Sequence, residues 1–367
     1  MTPAGERARV RVVVSHLSPT LGMERAALRL VGALDEHFVV EVVSLAGGAD
    51  DHTVRPGVRT ASAVQLRGWR RVLTLVRARR LLAHDDAAVR LFVGAPAALA
   101  GLLVTRPTGR DVVWEHSLST DRVRGSVALR LVWAFLRTRY AKVRTIVAVS
   151  PVVADLVRQS GCADVRTVPN MLDDEPSVER PAEPSATDRV ELLSVGTLSR
   201  LKNHSALITA LADLPPHVHL TIVGDGPLRT ELEQHAADTG VAPRVTFTGR
   251  VPAAEVRERM RSSTILVHAS WSETFGLVYV EAAVAGLPVL TTDHATARWL
   301  VPRYVPGLVT PPTEIAEGVR RLLADLPSDE DTARSAAARR QDFDKHATTL
   351  TWTTLLQEIA ATRETRA

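Results

Sequence analysis

The chain has 367 residues, too many for one ordinary core, and this length fits two domains of about 150 to 200 residues each. Hydrophobic residues make up 45% of it, so both halves contain enough apolar surface to fold. The formal net charge is +4, but residues 1–172 carry 25 Lys and Arg against 14 Asp and Glu. The N-terminal half should therefore prefer anionic surfaces.

Cysteine content and hydropathy indicate the compartment. Cys162 is the only cysteine, which excludes an intrachain disulfide and favours a reducing, cytoplasmic location. The most apolar window, residues 91–104, is interrupted by glycine and proline and is shorter than the roughly 20 residues a membrane-spanning helix needs. The N-terminus runs into a strand without the apolar core of a signal peptide. We expect no transmembrane helix.

Short apolar strands alternate with helical stretches through residues 1–172, which predicts an α/β domain with a parallel sheet. Ser150 and Pro151 form an N-cap and first-turn pair for a helix over 152–159. The predicted strands cover residues 10–14, 38–45, 88–93, 111–115, 145–149 and 165–168.

Two places in this first domain can carry function. Gly22 lies between the first strand and a helix over 26–34, the strand, loop and helix order of a nucleotide-binding domain, although a lone glycine there is more often an ordinary turn. His116 directly follows the strand 111–115, at the carboxyl edge where open α/β sheets bind ligands. A single histidine is otherwise more often a satisfied core or surface residue.

Two basic stretches of the first domain each allow two interpretations. Residues 69–82 place an apolar face among five arginines, which suits either peripheral contact with an anionic membrane or an ordinary surface helix. The run 122–144 allows the same two interpretations. No recognised nucleic-acid motif accompanies these charges, so we expect no nucleic-acid partner.

Residues 173–188 are acidic, rich in Pro and Ser, and lack apolar periodicity, which predicts an interdomain linker. A second α/β domain over 189–345 follows, with strands predicted at residues 190–195, 219–223, 245–247, 265–268 and 289–291. A last helix, 346–363, keeps an apolar face.

Three loops of the second domain follow strands directly and face the same sheet edge; they begin at Gly196, Gly224 and Gly249. Gly196 begins the segment that holds Arg200 and Lys202; Lys202 is one of three lysines in the chain and suggests a compact ammonium against phosphate. Gly224 opens a tight turn without the third glycine of a dinucleotide fingerprint, which argues against a nicotinamide enzyme.

The sequence pattern DxD occurs at 329–331 and 342–344. Both segments lie in polar helical stretches, so we expect no catalytic metal.

The stretch 264–292 carries the strongest signal. Glu273 lies at a loop-to-helix junction, where the backbone N–H groups of residues 274–277 can face an anion and Gly276 permits close approach. Glu281, two turns on, lies beside an apolar stripe and needs a polar partner such as a sugar diol. On spacing alone, a solvated glutamate on a helix shoulder is an equal alternative.

The stretch resembles the Glu-x7-Glu signature of the family 4 retaining glycosyltransferases, which have the GT-B fold. The resemblance implies two facing Rossmann-like domains with the active site in the cleft between them, and a last helix, within 346–367, that crosses back to the N-terminal domain. It departs at Leu21, where the family has a second glycine, and at Thr197, where the family has an arginine that Arg200 could replace.

The resemblance implies transfer of a sugar from a nucleotide-diphosphate donor, a UDP-sugar or a GDP-sugar, to a hydroxyl acceptor, without cofactor or metal. His116, Glu273 and Lys202 would be catalytic, with Glu273 on the sugar hydroxyls and Glu281 on the ribose. The other donor-binding residues would be Gly22, Gly196, Arg200, Gly224, Gly249, Arg250, Val251, Thr274, Phe275, Gly276 and Leu277. The alternatives are a GT-B nucleotide-sugar 2-epimerase and a non-catalytic sugar-nucleotide binding protein.

Overall fold

The computed structural model describes residues 7–15, 22–45, 59–62, 79–82, 89–116, 134, 138–140, 142–143, 145–159, 161–162, 164–172 and 189–361. Leu21, the predicted linker at 173–188, most of the basic stretch 69–82 and most of the run 122–144 lie outside these residues. Within them, no helix has the length and apolarity needed to cross a bilayer. The chain divides into two compact units: unit 1 is Met1–Met171 with Phe343–Ala367, and unit 2 is Leu172–Asp342.

Unit 1 contains a seven-stranded sheet in the order β3-β2-β1-β4-β5-β6-β7, and every neighbouring pair in it is parallel. β4, β5 and β6 are buried along their whole length, because helices cover both faces of a parallel sheet. This confirms the predicted parallel α/β domain. The strands are β1 (Arg9–Val14), β2 (Val39–Ser44), β3 (Arg59–Ser62), β4 (Val89–Val93), β5 (Asp111–Glu115), β6 (Thr145–Ala148) and β7 (Val165–Thr167).

The described helices of unit 1 are α1 (Gly22–Leu34), α2 (Gly94–Val104), α3 (Pro151–Arg158) and α11 (Lys345–Ala361). Ser150 caps α3 by accepting a hydrogen bond from the Val153 amide at 3.2 Å, which confirms the predicted cap. Although α11 comes last in the chain, it belongs to the core of unit 1. Its fully buried Trp352 contacts Trp114 of β5 edge-on, with ring centroids 5.1 Å apart.

Unit 2 contains a six-stranded parallel sheet in the order β10-β9-β8-β11-β12-β13. The apolar strand pattern predicted five of these strands; β13 was missed because it is short and begins at a glycine. A side chain at Gly307 would meet the Val289 carbonyl oxygen at 2.0 Å, so glycine allows this pairing. The strands are β8 (Val190–Val195), β9 (Val218–Val223), β10 (Val245–Gly249), β11 (Ile265–His268), β12 (Val289–Thr292) and β13 (Gly307–Thr310).

The α-helices of unit 2 are α4 (His204–Ala212), α5 (Arg229–Asp238), α6 (Ala253–Ser262), α7 (Leu277–Val284), α8 (Ala295–Tyr304), α9 (Ile315–Ala324) and α10 (Asp329–Asp342). Buried Arg339 of α10 donates to the Tyr304 carbonyl at 2.5 Å and to the Ala283 carbonyl at 3.2 Å. A cation at helix C-termini is stabilised by their carbonyls. Arg339 therefore fixes α7 and α8 relative to each other, and both helices begin at the candidate site.

The carboxylates of the two DxD segments are used in local structure. Asp331 and Ser328 exchange hydrogen bonds at the start of α10, a capping arrangement. Asp342 accepts from the Tyr304 hydroxyl at 2.8 Å and pairs with Arg303. Asp344 accepts from the Ala347 amide at the start of α11. Asp331, Asp342 and Asp344 are therefore engaged in local hydrogen bonds and an ion pair.

Candidate functional site

Three glycines bring the ends of β8, β9 and β10 close together in unit 2. The Gly196 amide donates to the Val223 carbonyl, and the Gly224 amide to the Gly249 carbonyl, each at 2.9 Å. Gly224 has φ +137°, and a Cβ there would lie 1.9 Å from the Gly196 carbonyl oxygen. Only glycine fits this crossing, so the edge of the sheet here is half-buried backbone without side chains, which a ligand can approach closely.

Lys202 extends across this glycine edge. A Cβ built on Gly196 would lie 3.6 Å from the Lys202 side chain, in ordinary contact. Asn203, with φ +50°, turns the chain into α4. Among the neighbouring polar residues, Thr197, Arg200 and Arg250 are exposed, and the two arginines make no hydrogen bond or ion pair with any described residue. Lys202 thus lies at the Gly196 end of the glycine edge, and Arg229 lies at the other end, with Nη1 3.5 Å from a Cβ built on Gly249.

Glu273 is the centre of the site. Its Oε1 accepts a hydrogen bond from Lys202 Nζ and a second one from His268 Nε2 at 2.8 Å. Burial opposes its ionisation, but the charge of Lys202 and the His268 hydrogen bond outweigh burial and hold the pKa of Glu273 well below its ordinary value. Oε2 accepts no hydrogen bond from the described residues. Glu273 is therefore an ionised carboxylate with one oxygen fixed and the other available.

His268 ends β11 and is nearly fully buried. Burial lowers its pKa, so the imidazole is neutral at pH 7. A neutral imidazole carries one proton, and a carboxylate can only accept, so the proton of His268 lies on Nε2. Its Nδ1 is buried and has no hydrogen-bond partner among the described residues. The geometry thus fixes the tautomer.

Tyr279 supports His268 from α7. The two rings meet edge to face with centroids 5.1 Å apart. The Tyr279 hydroxyl shares hydrogen bonds with Thr291 Oγ1 at 2.9 Å and His294 Nε2 at 3.2 Å. His294 in turn caps α8 by accepting from the Ala297 amide at 3.2 Å. These contacts link β11, β12, α7 and α8 behind Glu273.

The loop that carries Glu273 is attached to the loop that carries Lys202. Ser270 Oγ and the Trp271 amide both donate to the Leu201 carbonyl, at 3.1 and 2.9 Å. Thr292 Oγ1 donates to the Ser270 carbonyl at 2.8 Å, and Thr296 Oγ1 donates to the carbonyl of Glu273 itself. These hydrogen bonds therefore fix the backbone on both sides of the Lys202–Glu273 pair.

The predicted anion-binding residues form the start of α7. Gly276 has φ +76° and precedes the first helical residue, Leu277. Phe275 is buried, whereas Thr274 and Leu277 are half-buried. Glu281 lies in the middle of α7 and is half-buried. The positive end of the helix dipole therefore lies beside Glu273 and Lys202, where it favours a bound anion.

The two predicted site residues of unit 1 have separate surroundings. Gly22 begins α1, and the next residue, Met23, contacts Gly94 at the start of α2. His116 follows β5 and is buried beside Trp114, with ring centroids 4.3 Å apart. Burial lowers the pKa of His116 to about 3, and its Nε2 has no hydrogen-bond partner among the described residues. A neutral imidazole with one unused nitrogen suits contact with a neutral hydroxyl.

The structure brings Gly196, Lys202, Gly224, Gly249 and Glu273 to one edge of the unit 2 sheet. Sequence reasoning missed the residues that hold Glu273 in place. His268 had one available signal, since it is the polar residue that closes an apolar strand. The other missed residues, Ser270, Tyr279, Thr291, His294 and Thr296, act through contacts that depend on the path of the chain.

Comparison with known proteins assigns both halves of the chain. Residues 21–176 match the description Glycosyltransferase Family 4, and residues 177–340 match Glycosyl transferases group 1. The chain is 29% identical over 377 residues to a GDP-mannose-dependent alpha-(1-6)-phosphatidylinositol monomannoside mannosyltransferase of Mycobacterium tuberculosis, covering 90% of this chain and 93% of that protein. It is 26% identical over 262 residues to the 2-deoxystreptamine glucosyltransferase of Streptomyces kanamyceticus, covering 66% and 67%.

Solved structures share the fold over almost the whole chain. HepE from Anabaena, solved with UDP and glucose, has a TM-score of 0.77 at 21% identity and covers 96% of this chain and 100% of its own. The sucrose-phosphate synthase of Thermosynechococcus elongatus has a TM-score of 0.79 at 19% identity, covering 97% and 100%. The matched halves and the shared fold agree with the Glu-x7-Glu resemblance: the chain belongs to glycosyltransferase family 4, GT-B enzymes that move a sugar from a nucleotide-diphosphate donor to a hydroxyl acceptor with retention at the anomeric carbon.

Proposed function

We propose that unit 2 binds a UDP-sugar and that Glu273, Lys202 and Glu281 divide its recognition. The observation that carries this proposal is the pairing of Glu273 with Lys202 at the glycine edge, beside the start of α7. A cation and a helix N-terminus complement a diphosphate, while an ionised carboxylate complements sugar hydroxyls. All three features lie at the carboxyl ends of parallel strands, where α/β sheets bind nucleotides.

Lys202 and the start of α7 would neutralise the leaving diphosphate. The Lys202 side chain is 20% exposed, so its ammonium can reach a ligand while its stem lies over Gly196. Gly224 and Gly249 have no side chains of their own, so a ligand can approach their backbone closely. Arg200 and Arg250 are exposed on the neighbouring loops and would add positive charge without being fixed in place. Charge stabilisation of this kind can account for departure of the diphosphate.

Glu273 would hold the transferred sugar through Oε2. Its ionised state lets it accept hydrogen bonds from two hydroxyls and stabilise the positive charge that develops on the sugar ring. The donor phosphate then takes the acceptor proton on the side that the leaving group vacates, which retains the anomeric configuration. In unit 1 we propose His116 and Gly22 as further functional residues, and the neutral imidazole of His116, with one unused nitrogen, suits contact with a hydroxyl.

The nucleotide and the acceptor are the finer parts of the proposal. HepE was solved with UDP and glucose, whereas the mycobacterial relative is GDP-mannose-dependent. A GDP-sugar is therefore the competing donor. For the acceptor we favour an anionic or membrane-presented hydroxyl, because residues 1–172 are rich in arginine. A small polyol is the competing acceptor, in line with the 2-deoxystreptamine named for the Streptomyces relative.

A donor and acceptor screen tests the function. We expect nucleotide release from UDP-glucose or another UDP-sugar, in the presence of EDTA, to accelerate when an acceptor is added. Acceptors should include a soluble polyol and a phosphoinositide in anionic vesicles, with the product's anomeric proton coupling read by NMR. Sugar-nucleotide conversion without any acceptor would indicate the 2-epimerase, and binding without turnover would indicate a non-catalytic protein. Loss of activity in EDTA with rescue by magnesium would overturn the metal-free mechanism.

Glu281→Ala tests the ribose assignment. We expect affinity for UDP to fall by about 1.5–3 kcal/mol, because the ribose diol loses a charged hydrogen-bond acceptor. Calorimetric titration with UDP measures this loss, and Glu330→Ala, a change at an exposed residue in the first turn of α10, is the control. Equal UDP affinity in wild type and Glu281→Ala would remove Glu281 from the ribose site.

A further inference from the structure

One oxygen of Glu273 accepts hydrogen bonds from two donors whose side chains differ sharply in mobility and exposure. Lys202 Nζ ends a flexible side chain that is 20% exposed, whereas the His268 side chain is 1% exposed. Both donate to Oε1. In a free protein either donor alone could orient the carboxylate, so the second donor calls for an explanation.

The proposed function gives Lys202 a second partner. A bound diphosphate carries more negative charge than one carboxylate and would draw the ammonium towards it. The bond from Lys202 to Glu273 is then weakened at the moment when Glu273 must hold the sugar. An unsupported glutamate has several rotamers, and misplacement of a binding group by about 1 Å can cost a hundredfold in rate.

His268 cannot follow the diphosphate in this way. Its backbone lies in β11, which pairs with β8 and β12, and His268 itself pairs with Thr291. Its ring packs against Tyr279, whose hydroxyl is held between Thr291 and His294. The imidazole therefore stays in place whatever Lys202 binds.

We propose that His268 is a positioning residue that keeps Glu273 oriented towards the sugar when Lys202 engages the donor diphosphate. This inference rests on the proposed function, in which Lys202 binds the diphosphate and Glu273 the sugar. His268 acts through Glu273 and does not touch the donor. It should affect recognition of the sugar and the rate of transfer, and leave recognition of the nucleotide unchanged.

The titratable groups around Glu273 determine how its pKa changes when His268 is removed. Lys202 and His268 face it directly; His204 of α4, Tyr279 of α7 and His294 at the start of α8 lie nearby. Burial lowers the pKa of His204 to about 3 and that of His294 to about 4, so both are neutral at pH 7. Burial and the charge of Glu273 raise the pKa of Tyr279, which keeps its hydroxyl protonated. Removal of His268 would therefore leave Lys202 as the side chain that donates to the ionised carboxylate among the described residues.

Two substitutions separate the hydrogen bond from the packing. His268→Phe keeps a ring against Tyr279 but removes the donor, whereas His268→Gln places an amide N–H near the position of Nε2. His219→Gln, at a half-buried histidine near the amino end of β9, is the control. Thermal unfolding of all four proteins shows whether each variant is folded at the assay temperature.

The experiment measures calorimetric affinity for UDP and for the UDP-sugar, together with kcat, KM and the pH profile. For His268→Phe we expect unchanged UDP affinity, loss of the extra affinity that the sugar provides, and a kcat lower by about tenfold to a hundredfold. The acid limb of kcat/KM should move to higher pH, because the pKa of Glu273 rises. His268→Gln should recover most of the loss, and His219→Gln should match wild type.

A ¹⁵N-histidine NMR spectrum adds a readout independent of activity, and the free protein should show His268 as the Nε2-protonated tautomer. A spectrum with the proton on Nδ1 would overturn the inference. So would a folded His268→Phe protein with wild-type kcat, sugar increment and pH profile, and in that case the proposed function would stand. If wild type neither binds nor turns over any nucleotide sugar, the proposed function fails and this inference falls with it.

Discussion

Glu273→Ala should reduce turnover by about a hundredfold or more, the scale seen when one preorganised charge contact to a transition state is removed. Affinity for free UDP should fall much less, because UDP has no transferred sugar for Glu273 to hold. Steady-state kinetics with the UDP-sugar and calorimetry with UDP measure the two quantities. Glu273→Gln refines the test: it keeps the size of the side chain and one acceptor oxygen but removes the charge.

The comparison with Glu281→Ala supplies the control for this prediction, since that variant should lose UDP affinity first. A parallel fall of UDP affinity and turnover in Glu273→Ala would mean that the roles of the two carboxylates are reversed. A loss of folding would also be visible, because Glu273→Ala leaves Lys202 and His268 without their shared acceptor. Denaturant unfolding of the variant separates that effect from chemistry.

Gly224→Ala should destabilise unit 2 by about 3 kcal/mol or more, through backbone strain and a direct collision. At φ +137° an alanine is strained, and its Cβ would lie 1.9 Å from the Gly196 carbonyl oxygen. The obstacle is backbone in a parallel sheet, so it cannot move aside as a side chain could. Urea unfolding measures the loss, and UDP affinity should fall because β8 and β9 end at this crossing.

Gly240→Ala is the matched control for Gly224→Ala. Gly240 also has a positive φ, +71°, but nothing lies within 4 Å of a Cβ there. It should cost only the strain of a left-handed backbone, about 1–2 kcal/mol. Equal stability losses at the two glycines would contradict this prediction. They would show that the loops at Gly196 and Gly224 can move apart and avoid the collision.

The sequence predicted the edge of the unit 2 sheet well, for a physical reason. Parallel strands all end on one side, so Gly196, Gly224, Gly249 and Glu273, each following a strand, had to converge. Apolar runs were enough to find those strands. The same geometry brings the loop of Lys202 near the loop of Glu273, but the sequence analysis did not predict that the two side chains form an ion pair.

The support of Glu273 could not be predicted in the same way. His268 and Glu273 are five residues apart on a strand and a loop, and no periodic pattern relates such positions. Whether the two side chains meet depends on the turn at Ser270, which is fixed by the Leu201 carbonyl far away in sequence. Tyr279 also looked like a core residue of an apolar helix, and only the fold shows that its hydroxyl joins Thr291 and His294.

The membership of α11 in unit 1 has a consequence for the order in which the protein folds during synthesis. Unit 2 is one continuous stretch, so it can fold as soon as its last helix has left the ribosome. Unit 1 begins earlier but must wait for α11, whose Trp352 covers Trp114. The nascent N-terminal half therefore keeps an incomplete core while the whole of unit 2 is translated, and this interval is when chaperone binding or aggregation of unit 1 should be greatest.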